Sequence, residues 1–157
     1  MGKRERGQGF VEFMIILPVL LLLLLGIIEI GRLMVTYSSL TTASRDAVRY
    51  AASVGESGTG VPHYQECDEI RGAVERIALF VDVNIVIEYD LDGPGGASPV
   101  EYCQVGKSVD PIDVSLGSQV VVRVTTTYEP LLPLVNLPPI PITSEAKRTI
   151  LRDVYIK

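Results

Sequence analysis

The hydrophobic and polar positions divide the chain into one long apolar segment and a mixed remainder. Apolar residues run from Met14 to Ile28 almost without interruption and include six consecutive leucines, Leu20 to Leu25. With its flanks this run is long enough for a spanning helix, which needs about 20 residues. Apolar positions then recur at helical spacing until residue 53, where a glycine-rich stretch ends the pattern. The pattern predicts one long helix, half inside a membrane and half outside it.

The remainder of the pattern predicts an α+β domain. Residues 62–80 carry an amphipathic helical stripe. Apolar and polar residues alternate over 83–90 and 119–129, which predicts two half-buried strands. Residues 144–155 predict a third strand with a mixed pattern, typical of a bulge or an edge strand. We therefore expect the stalk helix and a second helix to pack on a three-stranded antiparallel sheet, most simply a meander.

The distribution of charge sets the expected topology. Three basic residues precede the apolar run (Lys3, Arg4 and Arg6), so the positive-inside rule places the N-terminus in the cytoplasm. From Leu33 onward the chain has 10 Lys and Arg against 16 Asp and Glu, a balance of −6. An acidic domain without a basic patch argues against a nucleic-acid partner. We expect a single-pass protein whose C-terminal domain is exported.

The two cysteines, Cys67 and Cys103, both lie in the part expected to be exported. In an oxidising compartment such a pair more often forms a disulfide than two free thiols. Cys67 falls on the packing face of the predicted second helix. A disulfide would therefore tie that helix to the connection that follows the first strand.

Three interpretations of the N-terminus compete. A cleaved signal peptide needs small residues just beyond the apolar run, and residues 28–33 make a poor site. A plain signal anchor needs only the basic residues and the run. The third interpretation starts from Gly7, which follows basic residues and precedes Glu12 by five positions, with the aromatic Phe13 next. This is the spacing that prepilin peptidases recognise.

Three stretches of the first 53 residues resemble the TadE-like family. They are Gly-Gln-Gly-Phe-Val-Glu-Phe at 7–13, Gly-Ile-Ile-Glu-Ile-Gly-Arg at 26–32 and Ala-Ser-Arg-Asp-Ala-Val-Arg-Tyr-Ala at 43–51. Beyond residue 53 the resemblance is only architectural. It implies a pilin-like (pseudopilin) minor component of Tad-type (Flp) pilus assembly, in the bacterial cytoplasmic membrane and in association with the pilus. The implied partners are other pilin-like subunits, the Tad assembly platform and a prepilin peptidase.

The resemblance also assigns roles at the N-terminus. Processing would cut between Gly7 and Gln8, and the new α-ammonium of Gln8 would pair with Glu12 of a neighbouring subunit, beside Phe13. An ionised carboxylate in the hydrocarbon costs about 2–3 kcal/mol, so Glu12 calls for such a partner. The alternative is that Glu12 lies at headgroup level and merely begins the helix. The expected organisation is a cytoplasmic leader (1–7), a transmembrane and stalk helix (8–53) and an exported α+β domain (54–157).

Other features of the membrane helix and stalk each allow two interpretations. Pro18 predicts a local kink, either for assembly or as ordinary helix plasticity. Glu29 and Arg32, three residues apart, predict an ion pair at the outer interface, although Glu29 could instead contact a neighbouring subunit. Small residues over 38–53 favour packing on the protein's own sheet over packing on other subunits. The five prolines of residues 130–141 indicate either a loop covering the sheet or an exposed binding or membrane-touching loop.

The sequence offers no chemistry for catalysis, a cofactor or a metal. His63 is the only histidine, and it has no recognised zinc-ligand spacing with the cysteines. The acidic stretch 90–93 lacks the further ligands of a calcium loop and predicts a solvated turn. We therefore expect no enzyme. The alternative function is an unprocessed, membrane-anchored binding domain that does not polymerise and uses the proline-rich loop as its working surface.

Overall fold

The computed structural model describes residues 5–56, 58, 60–78, 81–92, 100–101, 103, 114, 117–130 and 138–150. The elements in chain order are helix α1 (Glu5–Ala51), a 3-10 helix (His63–Gln65), helix α2 (Cys67–Glu75), and strands β1 (Asn84–Asp90), β2 (Val100–Glu101), β3 (Gln119–Tyr128) and β4 (Ile140–Thr149). A long N-terminal helix and a second helix accompany an antiparallel sheet. The α+β prediction is confirmed.

The sheet has the strand order β2-β1-β3-β4, with every neighbouring pair antiparallel. Strands β1, β3 and β4 form the predicted meander. Strand β2 adds a fourth strand that the sequence did not predict, because two residues are too few to show alternation. Strand β4 begins at Ile140, before the predicted start at residue 144. It includes Pro141, which an edge strand tolerates; the predicted continuation over 151–155 lies outside the described residues.

Helix α1 is a single helix of 47 residues that runs through Pro18 without a break. At 1.5 Å per residue its length is about 70 Å. Its C-terminal part packs in the core against α2 and the sheet, through a row of small or apolar residues that are fully buried or nearly so (Leu40, Ala43, Ser44, Ala47, Val48, Ala51 and Ala52). The Ser44 and Ser144 hydroxyls lie 3.0 Å apart, which joins α1 directly to β4. The buried small residues of the stalk (Ala43, Ser44, Ala47, Ala51 and Ala52) therefore pack inside the protein's own domain.

The core lies between α1, α2 and one face of the sheet. The predicted alternation is confirmed on β1 and over most of β3, where Val121 on the opposite face is buried as well. Ile85, Ile87 and Tyr89 are buried on β1, and Val120, Val122, Val124, Thr126 and Tyr128 are buried on β3. Helix α2 is shorter than the predicted helix over 62–80. It starts after a separate 3-10 turn, and at its end Ile77 N–H bonds the Val74 carbonyl at 3.1 Å, an i→i+3 bond that tightens the last turn.

A disulfide joins Cys67, the first residue of α2, to Cys103, two residues after β2, with a Cα–Cα distance of 5.5 Å. It matches the disulfide expected from the sequence. Arg71 donates a hydrogen bond to the Cys103 carbonyl, so α2 is held to this connection at two points. The buried Tyr89 hydroxyl donates to the Tyr64 carbonyl and lies 3.6 Å from the Cys103 sulfur. The covalent link and the polar contacts together fix α2 on the sheet.

Candidate functional site

The N-terminal end of α1 carries the residues that the sequence singled out. Since α1 begins at Glu5, Gly7 and Gln8 lie in its first two turns. Glu12 follows Gln8 by four residues, so the two share one face of the helix about 6 Å apart along the axis. Glu12 and its neighbour Phe13 are both exposed, Phe13 by 57%. The four positions therefore occupy one short helical segment.

Glu12 stands among apolar residues near the start of the apolar run. Within the described part of the protein, no hydrogen bond or ion pair reaches its carboxylate. A carboxylate left in this way is costly in hydrocarbon, at about 2–3 kcal/mol. In a bilayer, water, lipid headgroups or a neighbouring molecule can supply a compensating charge or donor for Glu12.

The rest of the helix around Glu12 is apolar on all sides and uncovered. Its most apolar 18-residue window has a mean hydropathy of 2.9, and none of that window is buried against the rest of the chain. In the part of the chain that the structure describes, α1 alone is long and apolar enough, by length and composition, to cross a membrane. A helix that is hydrophobic all round needs lipid or other helices as its surroundings.

A second group of functional interest joins α1 to the base of the sheet, and we call it the junction cluster: Glu29, Arg32 and Tyr128. The predicted ion pair is present, with Arg32 Nη1 at 3.3 Å from Glu29 Oε1. The Tyr128 hydroxyl donates to the same Oε1 atom at 2.6 Å and also lies 3.2 Å from the Glu29 carbonyl oxygen. The Arg32 guanidinium stands over the Tyr128 ring, 5.5 Å from its centre. Tyr128, the last residue of β3, therefore joins this strand to α1.

The environment of the junction cluster keeps Tyr128 a neutral donor. Burial raises the pKa of the Tyr128 hydroxyl, and the hydrogen bond and negative charge of Glu29 raise it further. The sequence predicted the local pair of Glu29 and Arg32 but missed Tyr128. Two features of the sequence could have indicated this contact. Tyr128 is the last inward-facing residue of the β3 alternation, and the carboxylate of Glu29, at the end of an apolar run, needs a hydrogen-bond donor.

The single histidine belongs to a contact between the end of α1 and the turn before α2. The Tyr50 hydroxyl donates to Glu66 Oε2 at 2.7 Å, and His63 Nδ1 lies 3.2 Å from the same oxygen. Burial and the Glu66 carboxylate raise the pKa of Tyr50 to about 12, so it stays a donor at physiological pH. Among the described residues, no group of three His, Cys, Asp or Glu side chains could hold a metal ion.

These features define a class of protein: an α+β domain carried on one long helix that is a candidate membrane anchor. A family model described as TadE-like protein matches residues 7–49. The match confirms the resemblance over most of α1 and indicates a minor component associated with the Tad pilus. It ends before α2 and the sheet. Searches of curated proteins and of solved structures found no match to this chain.

Proposed function

We propose that this protein is a pilin-like minor component of a Tad-type pilus assembly or secretion system. It is processed after Gly7 by a prepilin peptidase and assembles through α1. One observation carries the proposal: the TadE-like match over residues 7–49 coincides with a helix whose apolar surface is uncovered and whose exposed Glu12 has no partner in the described chain.

Glu12 sets the register of assembly in this proposal. Cleavage after Gly7 leaves a free α-ammonium on Gln8, which is the nearest new positive charge to the Glu12 face. A charge-assisted hydrogen bond between this ammonium and Glu12 of a neighbouring subunit removes the cost of leaving either charge unpaired in hydrocarbon. Phe13, exposed beside Glu12, packs against the neighbouring helix at the same level.

The mechanism is non-covalent and needs no catalytic residue or cofactor. Before assembly α1 spans the bacterial cytoplasmic membrane and is surrounded by lipid. Its N-terminus is in the cytoplasm and the α+β domain is exported. Neighbouring pilin-like helices then replace lipid around its apolar surface, and the exported domain primes or caps the filament. Proteins of the Tad assembly platform are the other expected partners.

Replacing Gly7 tests this function against its alternative. We expect Gly7→Leu to abolish assembly of the pilus or secretion system, because a prepilin peptidase needs a small residue at the cleavage position. Gly9→Leu is the matched control, since a Cβ at Gly9 meets no atom within 4 Å. Normal assembly with Gly7→Leu would contradict the proposal and favour an unprocessed, membrane-anchored binding domain.

Variants of Glu12 test the register. With a photo-crosslinker at exposed Ile16, we expect the wild-type protein to capture pilin-like subunits. Glu12→Gln removes the charge and should lose most of this crosslinking, while Glu12→Asp keeps the charge and should retain more of it. Equal capture by Glu12→Gln and the wild type would show that the carboxylate has no role in assembly.

A further inference from the structure

We infer that the end of the sheet where β3 stops and β4 starts rests on the lipid headgroups of the outer leaflet. We call this surface the β3–β4 end; it comprises Tyr128, Glu129, Pro130, Pro138, Pro139 and Ile140. The partner is a zwitterionic phospholipid surface. The inference rests on the membrane-spanning role proposed for α1 and adds a second contact with the same bilayer.

The position of the β3–β4 end relative to the bilayer follows from the junction cluster. The Tyr128 hydroxyl is 2.6 Å from the carboxylate of Glu29, the residue that directly follows the apolar run ending at Ile28. Ile140 pairs opposite Tyr128 in the sheet, so it lies at the same end. If α1 spans a bilayer, this end of the sheet must lie where the helix leaves the hydrocarbon.

From the β3–β4 end, the strands run away from the point where α1 leaves the hydrocarbon. Ser144 on β4 contacts Ser44, which is 15 residues beyond Glu29 on α1 and therefore about 22 Å further along the helix axis. The other end of the sheet, toward Thr149, lies further out still. The β3–β4 end is therefore the part of the sheet that comes closest to the bilayer among the residues the structure describes.

The chemistry of this end suits a headgroup layer. Ile140 is 41% exposed, and the prolines at 138 and 139 are also exposed. Proline has no backbone N–H, so its backbone loses no donor on leaving water.

The charges at this end point to zwitterionic lipid. Glu129 is exposed, while the positive charge of Arg32 is already paired with Glu29 at 3.3 Å. The described residues of this surface thus carry no excess positive charge to attract anionic headgroups. Contact then depends on apolar and interfacial side chains, and phosphatidylcholine is a sufficient partner.

The absence of tryptophan from the chain allows a direct test. The full-length protein would carry one tryptophan at a time, introduced by Ile140→Trp or, as a second reporter, Pro139→Trp, in phosphatidylcholine vesicles with nitroxide-labelled headgroups. Val54→Trp is the matched control, because Val54 is 61% exposed beyond the far end of α1. Leu24→Trp reports the span itself through lipids labelled deep in the acyl chain.

We expect both reporters at the β3–β4 end to lose most of their fluorescence to the headgroup nitroxide, while Val54→Trp keeps its own. Loss of fluorescence in Leu24→Trp but in neither β3–β4 reporter would overturn this inference, while the proposal that α1 spans the membrane would still hold. Reporters shielded from both lipid nitroxide and aqueous acrylamide would indicate a protein partner and overturn it too. An unquenched Leu24→Trp would contradict the proposed span itself.

Discussion

At the scale of single residues, the junction cluster decides how the domain meets its helix. Glu29 and Arg32 are three residues apart on α1, so the sequence alone could predict their ion pair. Tyr128 lies 99 residues from Glu29 along the chain. Its contact depends on how β3 is placed against α1, and no local pattern contains that information.

Removing the Tyr128 hydroxyl tests this cluster. Tyr128→Phe deletes the donor to the Glu29 carboxylate, and a hydrogen bond to a charged group is worth about 1.5–3 kcal/mol. We expect the free energy of unfolding to fall by about that amount in denaturant titrations of the full chain in detergent. Tyr37→Phe is the control, since Tyr37 is 56% exposed. Equal stability of Tyr128→Phe and the wild type would show that the cluster does not hold the domain.

On the outer face of the sheet, Glu145 makes a pH-dependent contribution. Its carboxylate accepts hydrogen bonds from Lys147 at 3.1 Å and from Arg123 at 2.9 Å, and these two ion pairs lower the pKa of Glu145 from its ordinary value of 4.5. A lowered pKa means that this stabilisation is fully present above about pH 4.5 and is lost as the pH falls through the folded-state value.

We therefore expect Glu145→Gln to lower the free energy of unfolding at neutral pH by less than about 1 kcal/mol, because the pairs are partly exposed. The difference from the wild type should shrink as the pH is lowered below the ordinary carboxyl pKa. Chemical unfolding at neutral and acidic pH measures both values. A difference that persists unchanged in acid would mean that the side chain acts through packing and not through its charge.

At the scale of elements, the sequence predicted the helices and strands whose apolar residues recur regularly over many positions. It missed features that lack such a repeat. The alternation over β1 and β3 and the helical stripe of α1 were long enough to indicate the type of each element and most of its buried face. The two residues of β2 were not, and the early start of β4 was hidden by Pro141 within a proline-rich stretch. Helix α2 ends at Glu75, earlier than its amphipathic pattern indicates.

The packing of α1 on the sheet gives a prediction at this scale. Ala47 is fully buried, so Ala47→Leu adds methylene groups to a filled contact and should cost about 1–3 kcal/mol in the free energy of unfolding. Thr42→Leu places the same side chain at an exposed position of the same helix and should be nearly neutral. Thermal unfolding of both variants provides the comparison. Equal effects would argue that this face of α1 is not packed in the core.

At the scale of the whole molecule, α1 combines two different surfaces. Its C-terminal part forms the core of the domain, while the apolar part around Glu12 is left uncovered by the chain. The domain therefore folds on the helix without occupying the surface that would meet lipid or other subunits. The TadE-like match covers residues 7–49, which lie on α1.

The central claim is that a prepilin peptidase converts this chain into a pilin-like subunit. The most direct measurement is the intact mass of the full-length protein, produced with and without an active prepilin peptidase. The account predicts a loss equal to residues 1–7 when the peptidase is present, blocked by Gly7→Leu and unaffected by Gly9→Leu. An unchanged mass with a peptidase that cleaves its own pilin in the same cells would contradict the account.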